Sequence, residues 1–231
     1  MNKITIAIDG FSSTGKSTIA KQLAKILDYI YVDTGAMYRA VTLYAMQNDF
    51  ISDEKFHSND LILKLNNINL QFKFNPSLGF SEMYLNGKNV EKEIRTMEVS
   101  NFVSAVSAVP EVRNRLVKQQ QEIGKSSAVV MDGRDIGTVV FPNAELKIFM
   151  NASPKIRAQR RYDELIKRGD NISFEKVLKN VNKRDYIDSH RKSSPLKKAK
   201  DAIEIDNSNL SLKEQFTQIM LLINKILKLE E

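Results

Sequence analysis

A glycine-rich segment near the start of the chain carries residue types that hold phosphate groups. It reads Gly, four variable residues and then Gly-Lys-Ser-Thr, the spacing of a phosphate-binding loop. Its two glycines let backbone N–H groups turn toward an anion, and a helix predicted to begin near Ser17 directs its positive dipole end there. In such a loop Lys16 reaches the β- and γ-phosphates, and the Ser17 hydroxyl ligates Mg²⁺. The predicted phosphate-binding loop comprises Gly10, Phe11, Ser12, Ser13, Thr14, Gly15, Lys16, Ser17 and Thr18.

A carboxylate follows a later apolar run that reads as a buried strand, residues 128–131. Asp132 comes directly after this run, and a carboxylate at the end of a strand can hold Mg²⁺ directly or through water. The adjacent Gly133-Arg134-Asp135 adds a cation and a second acid. We therefore predict that Asp132 and Ser17 are the protein ligands of Mg²⁺.

Two groups of charged residues share a helix face by their spacing. The first group is Arg157, Arg160 and Arg161. The second group is Arg184, Asp188 and Arg191. Either face could clamp phosphates, because a guanidinium offers planar, bidentate donors. Salt bridges on a surface helix, worth at most ~1 kcal/mol each, explain the same spacing.

The elements that must position these residues alternate between strands and helices. Apolar runs predict strands at residues 4–8, 29–32, 128–131, 146–150 and 202–206. Helical periodicity fills much of the sequence between and after them, with breaks at Pro110 and near Gly169. Residues 65–93 instead alternate apolar and polar side chains, and Asn86-Gly87 is a strong hairpin signal. This order predicts an α/β, three-layer fold of the P-loop NTPase type with a parallel central sheet, a small antiparallel β insert and a helical lid.

Composition and charge limit the possible partners. The chain has 231 residues, 42% of them hydrophobic, and lacks both cysteine and any apolar run of membrane-spanning length. Strand character begins directly after Lys3, so we expect no signal peptide. The net charge of +7 is uneven, because residues 155–200 carry +9 and the remainder carries −2. The basic block indicates an anionic partner, either nucleic acid or a phosphorylated small molecule.

Five motifs stand in order along the chain. They are Ile8-Asp9-Gly10 leading into the loop, Asp33-Thr34-Gly35-Ala36-Met37-Tyr38-Arg39, Glu93-Ile94-Arg95, Asp132-Gly133-Arg134-Asp135-Ile136-Gly137-Thr138 and Arg184-Asp185-Tyr186-Ile187-Asp188. Together they resemble the bacterial-type cytidylate kinases, over nearly the whole chain. The resemblance implies transfer of the γ-phosphoryl group of ATP to CMP or dCMP, giving CDP or dCDP and ADP. It also implies a single domain over 1–231, with a core of 1–64, 94–153 and 195–231, a monophosphate-binding insert of about 65–93, and a mobile lid of about 154–194.

The resemblance assigns roles residue by residue. It implies that the lid arginines Arg157, Arg160 and Arg161 join the loop in binding ATP. It implies that CMP is bound by Thr34, Arg39, Ser104, Arg113, Arg134, Asp135, Arg184 and Asp188. Among these, Ser104, Arg113 and Asp135 resemble the residues that read cytosine. The implied catalytic cations around the transferring phosphates are Lys16, Arg134, Arg184 and Arg191. The chain departs from the usual pattern at Phe11, where many relatives carry Pro, and at Thr34, which replaces a common Ser.

The chemistry of the acceptor is consistent with these residues. A phosphate oxygen is already deprotonated near neutral pH, so a site rich in Arg and poor in His suffices. A carboxylate that accepts from the exocyclic amine of cytosine is left unpaired by uracil, so we expect a preference for CMP over UMP. Two alternatives remain, a phosphate-loop kinase of another small acceptor such as UMP, and a nucleic-acid-binding module built on the basic block. We expect the partners to be ATP and CMP or dCMP rather than nucleic acid or a membrane, and the protein to be a cytoplasmic monomer.

Overall fold

The computed structural model describes residues 3–125 and 128–227, so Met1, Asn2 and the predicted domain end at 231 lie outside the described residues. The chain forms two compact units. The first unit comprises Met1–Val32 and Ile123–Glu231, and the second comprises Asp33–Glu122. That residues 65–93 bind the monophosphate and that residues 154–194 form a lid remain predictions.

The elements are numbered in chain order. The strands are β1 (Thr5–Gly10), β2 (Ile30–Asp33), β3 (Leu70–Asn75), β4 (Phe80–Leu85), β5 (Lys88–Asn89), β6 (Val129–Gly133), β7 (Leu146–Asn151) and β8 (Ile203–Asp206). The helices are α1 (Lys16–Leu27), α2 (Thr34–Gln47), α3 (Ser58–Lys64), α4 (Met97–Ser107), α5 (Pro110–Ile123), α6 (Pro154–Lys167), α7 (Phe174–His190) and α8 (Leu212–Leu227). Short helical turns lie at Leu65–Asn67, Glu93–Arg95 and Ile136–Val140.

A sheet of five strands forms the centre of the first unit, in the order β2-β6-β1-β7-β8. Strand β1 is buried throughout and pairs in parallel with β6 and β7. Its Ile6 and Ile8 pack in one core with Ile19 of α1 and Ile219 of α8, so helices cover the apolar sheet. The predicted parallel sheet is confirmed.

Register brings the phosphate loop beside the segment that follows β6. Asp9 of β1 pairs with Gly133 of β6, so both strands reach the same edge of the sheet at their carboxyl ends. On the other side Gly10 pairs with Met150. A Cβ on Gly10 would lie 2.0 Å from the Met150 carbonyl oxygen, and Gly10 has φ +148°, so only glycine fits there.

The second unit contains α2 to α4, nearly all of α5 and the antiparallel sheet β3-β4-β5. Asn86 and Gly87 both have positive φ, +49° and +84°, as expected for the tight turn between β4 and β5. The predicted small antiparallel sheet and its hairpin are therefore confirmed. Helix α3 was not predicted, because its seven residues bury only Leu61 and give no clear periodicity.

Helices α6 and α7 fill the basic block of the first unit. Each begins at a serine whose hydroxyl accepts a backbone N–H, Ser153 for α6 and Ser173 for α7. Helix α6 ends at Lys167, and Gly169 follows with φ +88°, which confirms the predicted break. No helix within residues 3–125 and 128–227 is both long and apolar enough to cross a membrane.

Candidate functional site

The phosphate loop ends where α1 begins. Ser13 and Gly15 have left-handed backbone, with φ +61° and +89°, and α1 starts at Lys16. Gly15 occupies the N-cap position and provides no side-chain cap, and the first turn contains no acidic residue. The N–H groups at this helix start therefore face no competing carboxylate of their own first turn, which suits an anionic ligand.

Lys16 is buried inside the loop that it belongs to. Its ammonium donates to the Phe11 carbonyl at 2.5 Å and to Thr14 Oγ1 at 3.2 Å. Burial, and then the nearby Arg134, lower the pKa of Lys16 well below its usual value. A phosphate chain in the loop would favour the charged ammonium, because it places negative charge beside a desolvated cation.

A hydroxyl and a carboxylate meet beside the loop. Ser17 Oγ donates to Asp132 Oδ2 at 3.0 Å, and Tyr31 OH donates to Asp132 Oδ1 at 2.8 Å. Hydroxyl and carboxylate oxygens are the hard donors that Mg²⁺ prefers, and Mg²⁺ commonly takes few protein ligands because phosphates and waters supply the others. Among the residues that the structure describes, no group of three His, Cys, Asp or Glu side chains is placed to hold a metal ion by itself.

Three arginines lie near one buried carboxylate at the carboxyl end of α7, the half-buried Arg134 and the buried Arg184 and Arg191. Arg134 Nε donates to Asp188 Oδ2 at 3.0 Å. Burial alone would raise the pKa of Asp188, but Arg134, Arg184 and Arg191 together hold it below its usual value. Burial and the proximity of Arg134 lower the pKa of Arg184 to about 10. Three guanidinium groups thus act on one carboxylate, and guanidinium groups are also well suited to bind phosphates.

A second carboxylate, that of Asp9 on β1, holds the segment that follows β6. Asp9 accepts the backbone N–H groups of Ile136 and Gly137, each at 2.8 Å. Burial raises the pKa of Asp9 to about 6, although these two hydrogen bonds oppose the rise. Asp135 lies just before this turn, and its carboxylate is 3.9 Å from the Arg191 guanidinium. Asp9 therefore helps to place Asp135, a role that no sequence pattern indicated.

The first of the three α6 arginines makes several contacts with protein groups. Arg157 forms a bidentate pair with Asp185 of α7, at 2.6 and 2.9 Å. It also donates to the backbone carbonyls of Ala152 and Ser12. Its guanidinium carbon lies 5.1 Å from the centre of the Phe11 ring. Arg157 thus connects α6, α7 and the outer side of the phosphate loop.

The other two α6 arginines differ in their surroundings. Arg160 donates to Asn207 twice, to Oδ1 at 2.9 Å and to the backbone oxygen at 2.8 Å. Arg161 donates to Glu164 at 2.8 Å. Arg161 is also one of the cations that, after burial, lower the pKa of Arg184. Arg161 therefore lies close enough to Arg184 for the two positive charges to repel each other.

In the second unit, Thr34 is the first residue of α2. The preceding Asp33 caps this helix by accepting the Ala36 N–H at 2.9 Å. Arg95 donates to Asp33 and to Glu91, each at 2.7 Å. Burial opposes ionisation of Asp33, yet Arg95 more than offsets this and lowers the pKa of Asp33. Arg95 belongs to the Glu93-Ile94-Arg95 motif, and its bonds to Asp33 and Glu91 stabilise the turn that precedes Thr34.

The remaining predicted acceptor residues of the second unit are also largely buried. Ser104 and Arg113 are each only 1% exposed, whereas Arg39 on α2 is half-buried. Arg113 donates to the Ser107 carbonyl at 3.3 Å, and its guanidinium carbon lies 5.4 Å from the centre of the Tyr38 ring. A buried guanidinium fixed by an aromatic face is well suited to planar recognition. The structure thus places the predicted acceptor residues in two groups, with Thr34, Arg39, Ser104 and Arg113 in the second unit and the others in the first.

The fold and the loop define a phosphate-loop nucleotide-binding protein. Strand β1, the loop and α1 follow one another, and Ser17 of α1 pairs with Asp132 of β6 in an arrangement that suits Mg²⁺. A family model described as cytidylate kinase matches residues 6–225. The chain belongs to the cytidylate kinase family.

Relatives of known name are similar to the chain over its full length. A cytidylate kinase of Flavobacterium johnsoniae is 67% identical over 100% of both chains. A cytidylate kinase of Bacteroides fragilis is 55% identical over 99% of this chain and 100% of its own. A crystal structure of an uncharacterized protein from Eubacterium ventriosum is similar in fold, with a TM-score of 0.50, 13% identity and coverage of 97% and 99%.

Proposed function

We propose that this protein transfers the γ-phosphoryl group of ATP to CMP or dCMP, giving ADP and CDP or dCDP. Membership of the cytidylate kinase family over residues 6–225 carries this proposal. The cation cluster of the first unit supports it, because phosphoryl transfer depends on positioning and charge compensation more than on proton transfer.

The donor phosphates are assigned to the loop, Gly10 to Thr18. Its backbone N–H groups and the start of α1 bind the β- and γ-phosphates, and Lys16 compensates their charge. Lys16 must leave the Phe11 carbonyl to do so, which costs little because the phosphate offers the same ammonium a charged acceptor. All three α6 arginines contact protein groups, and we assign the direct phosphate contact to Arg161 because it lies near Arg184, whose pKa it helps to lower.

Ser17 and Asp132 would hold Mg²⁺ together with the ATP phosphates. Their oxygens lie 3.0 Å apart, so both can face one ion once the hydrogen bond between them opens. When bound, Mg²⁺ neutralises phosphate charge and so favours attack at the γ-phosphorus. Tyr31 fixes the orientation of the Asp132 carboxylate through its other oxygen.

The attacking group is an oxygen of the CMP phosphate, which needs no general base near neutral pH. Arg134 is assigned to that phosphate, while Arg184 and Arg191 compensate the charge that develops on the transferring group. Asp188 keeps this cluster from excess positive charge before substrates bind, since it pairs with Arg134 at 3.0 Å. As the sugar of CMP arrives, Asp188 can accept from its hydroxyl groups.

Recognition of cytosine is assigned to Asp135, Ser104 and Arg113. The Asp135 carboxylate accepts from the exocyclic amine, and Arg113 donates to the ring carbonyl. Uracil replaces the amine by a carbonyl, which leaves the carboxylate facing an acceptor. Thr34 and Arg39 complete the set by contacting the acceptor nucleotide. Cytoplasmic location, a monomeric state and a lid formed by residues 154–194 stay predictions.

Product analysis tests the proposal. With ATP, Mg²⁺ and CMP, we expect ADP and CDP to form in equal amounts, as resolved by ion-exchange chromatography or ³¹P NMR. Removal of Mg²⁺ should abolish both products. If ADP forms without CDP, or if AMP or any acceptor other than dCMP replaces CMP as the preferred substrate, the proposed acceptor is wrong.

The buried arginines of the first unit favour a small phosphorylated ligand over a nucleic-acid backbone. A nucleic-acid-binding module needs exposed cations to meet a phosphate backbone. All nine lysines of the basic block are exposed, but four of its arginines are buried, with exposures of 2% for Arg157, 8% for Arg161, 7% for Arg184 and 8% for Arg191. Buried cations suit a small phosphorylated ligand that enters the site.

A further inference from the structure

A fully buried amide connects the last strand of the sheet to the phosphate loop. Asn207 follows β8 and has no exposed surface. Its Nδ2 donates to the Thr14 carbonyl at 2.6 Å and to Gln215 Oε1 at 2.7 Å. Its Oδ1 accepts from Arg160 at 2.9 Å. Both amide hydrogens and the amide oxygen therefore have partners.

These partners fix which way the amide points. Arg160 can only donate, so the oxygen of the Asn207 amide must face it. The nitrogen must then face Thr14 and Gln215. Gln215 is oriented in turn, because its Nε2 donates to the Leu210 carbonyl at 3.0 Å and its oxygen is left for Asn207. Reversal of the Asn207 amide would place donor against donor and acceptor against acceptor.

The direction of the Thr14 carbonyl determines the direction of the next backbone N–H group in the phosphate loop. In a trans peptide the C=O and the following N–H point in opposite directions. A Thr14 carbonyl held toward Asn207 therefore directs the Gly15 N–H to the other side of the same peptide. Gly15 has φ +89° and precedes the first residue of α1, so this peptide sets how the loop enters the helix.

We propose that Asn207 is a positioning residue for the donor phosphates, and that Arg160 acts through it. Asn207 holds the Thr14–Gly15 peptide so that its N–H faces the anion, and Arg160 holds the Asn207 amide in the required orientation. This inference rests on the proposed function only in that the donor nucleotide binds the loop. It gives Arg160 a role different from the direct ATP contact that the lid arginines were predicted to make.

Asn207→Asp tests the proposal with almost no change in shape. The carboxylate keeps an acceptor for Arg160 but places an oxygen against the Thr14 carbonyl and Gln215 Oε1. We expect the Kd for ADP in the presence of Mg²⁺, measured by calorimetry, to rise about tenfold or more, because a buried carbonyl loses its donor. The KM for ATP should rise with it, while the KM for CMP changes less than about twofold.

Ser211→Ala is the matched control, because Ser211 lies with Asn207 in the connection between β8 and α8. Ser211 forms a capping box with Glu214 at the start of α8, with hydrogen bonds of 2.7 to 3.2 Å that join these two residues rather than the phosphate loop. Its loss should lower Tm and leave ADP binding within about twofold of wild type. An equal loss of ADP binding in this variant would mean that Asn207 acts only through stability, and would overturn the proposal.

Arg160→Lys separates positioning from direct contact. A single ammonium cannot reproduce the two bonds to Asn207, so ADP binding should weaken about threefold even if Asn207→Asp does not fold. If Asn207→Asp folds, the double variant should bind ADP no more weakly than Asn207→Asp alone, because Arg160 then has no amide left to orient. Additive losses in the double variant, or unchanged ADP binding in Arg160→Lys or in Asn207→Asp, would contradict the inference. ADP binding needs no acceptor, so these results stand apart from whether CMP is the substrate.

Discussion

The ion pair between Arg157 and Asp185 should be the most costly contact to break in the basic block. Arg157 is 2% exposed and Asp185 18%, and two hydrogen bonds of 2.6 and 2.9 Å join them. Asp185→Asn removes the charge and one acceptor while keeping the shape. Loss of one partner of a buried pair costs about 3–5 kcal/mol. The partial exposure of Asp185 and the surviving bonds of Arg157 to two backbone carbonyls reduce this to roughly 2–3 kcal/mol.

Scanning calorimetry without nucleotide measures this loss. For a chain of 231 residues, roughly 2–3 kcal/mol should lower Tm by about 5–10 °C. Asp163→Asn is the matched control, because it removes the same charge from exposed Asp163 of α6, which accepts from Gln159 at 2.8 Å. That change should cost less than about 0.5 kcal/mol. Equal Tm values for the two variants would refute the claim that the Arg157 pair is a buried connection.

Three further changes probe the rest of the site. Arg184→Ala should lower kcat by about 10²- to 10⁴-fold, because the variant loses the buried cation that we assign to the transferring phosphate, while circular dichroism stays that of wild type. Asp188 has a lowered pKa, so its stabilising contribution is present above its ordinary pKa of 3.8 and is lost as pH falls through the folded value. Asp188→Asn should therefore be less stable than wild type at pH 7, and denaturant titrations should show this difference shrinking below about pH 4. Tyr31→Phe should raise the Mg²⁺ concentration for half-maximal rate by roughly tenfold, because Asp132 loses the donor that orients it. An unchanged kcat, a pH-independent difference or an unchanged Mg²⁺ requirement would contradict the respective assignment.

Local patterns were sufficient for most of the fold. Apolar runs predicted β1, β6 and β7 because these central strands are buried on both faces. Asn86-Gly87 predicted its hairpin because few other residues adopt two positive φ angles in succession. The turn Ile136–Val140 was not predicted. It is held by Asp9, which lies 127 residues away from Ile136, so no local window contains its cause.

Sequence indicates candidate site residues where one motif carries them, and it does not indicate the tertiary partners that hold them. Lys16, Ser17 and Asp132 follow from motif and strand position. The partners of the α6 arginines do not, because Asp185 lies on another helix and Asn207 beyond the last strand. Spacing showed that the three arginines share a face of α6, yet it could not show that they have different partners.

Comparison of CMP with UMP as acceptor tests the central claim most directly. Initial rates of ADP formation at saturating ATP and Mg²⁺ give kcat/KM for each nucleotide. The account predicts a value for CMP that exceeds the value for UMP by about 10²-fold or more, because uracil leaves the Asp135 carboxylate without a donor. Equal values of kcat/KM for the two nucleotides would contradict the account.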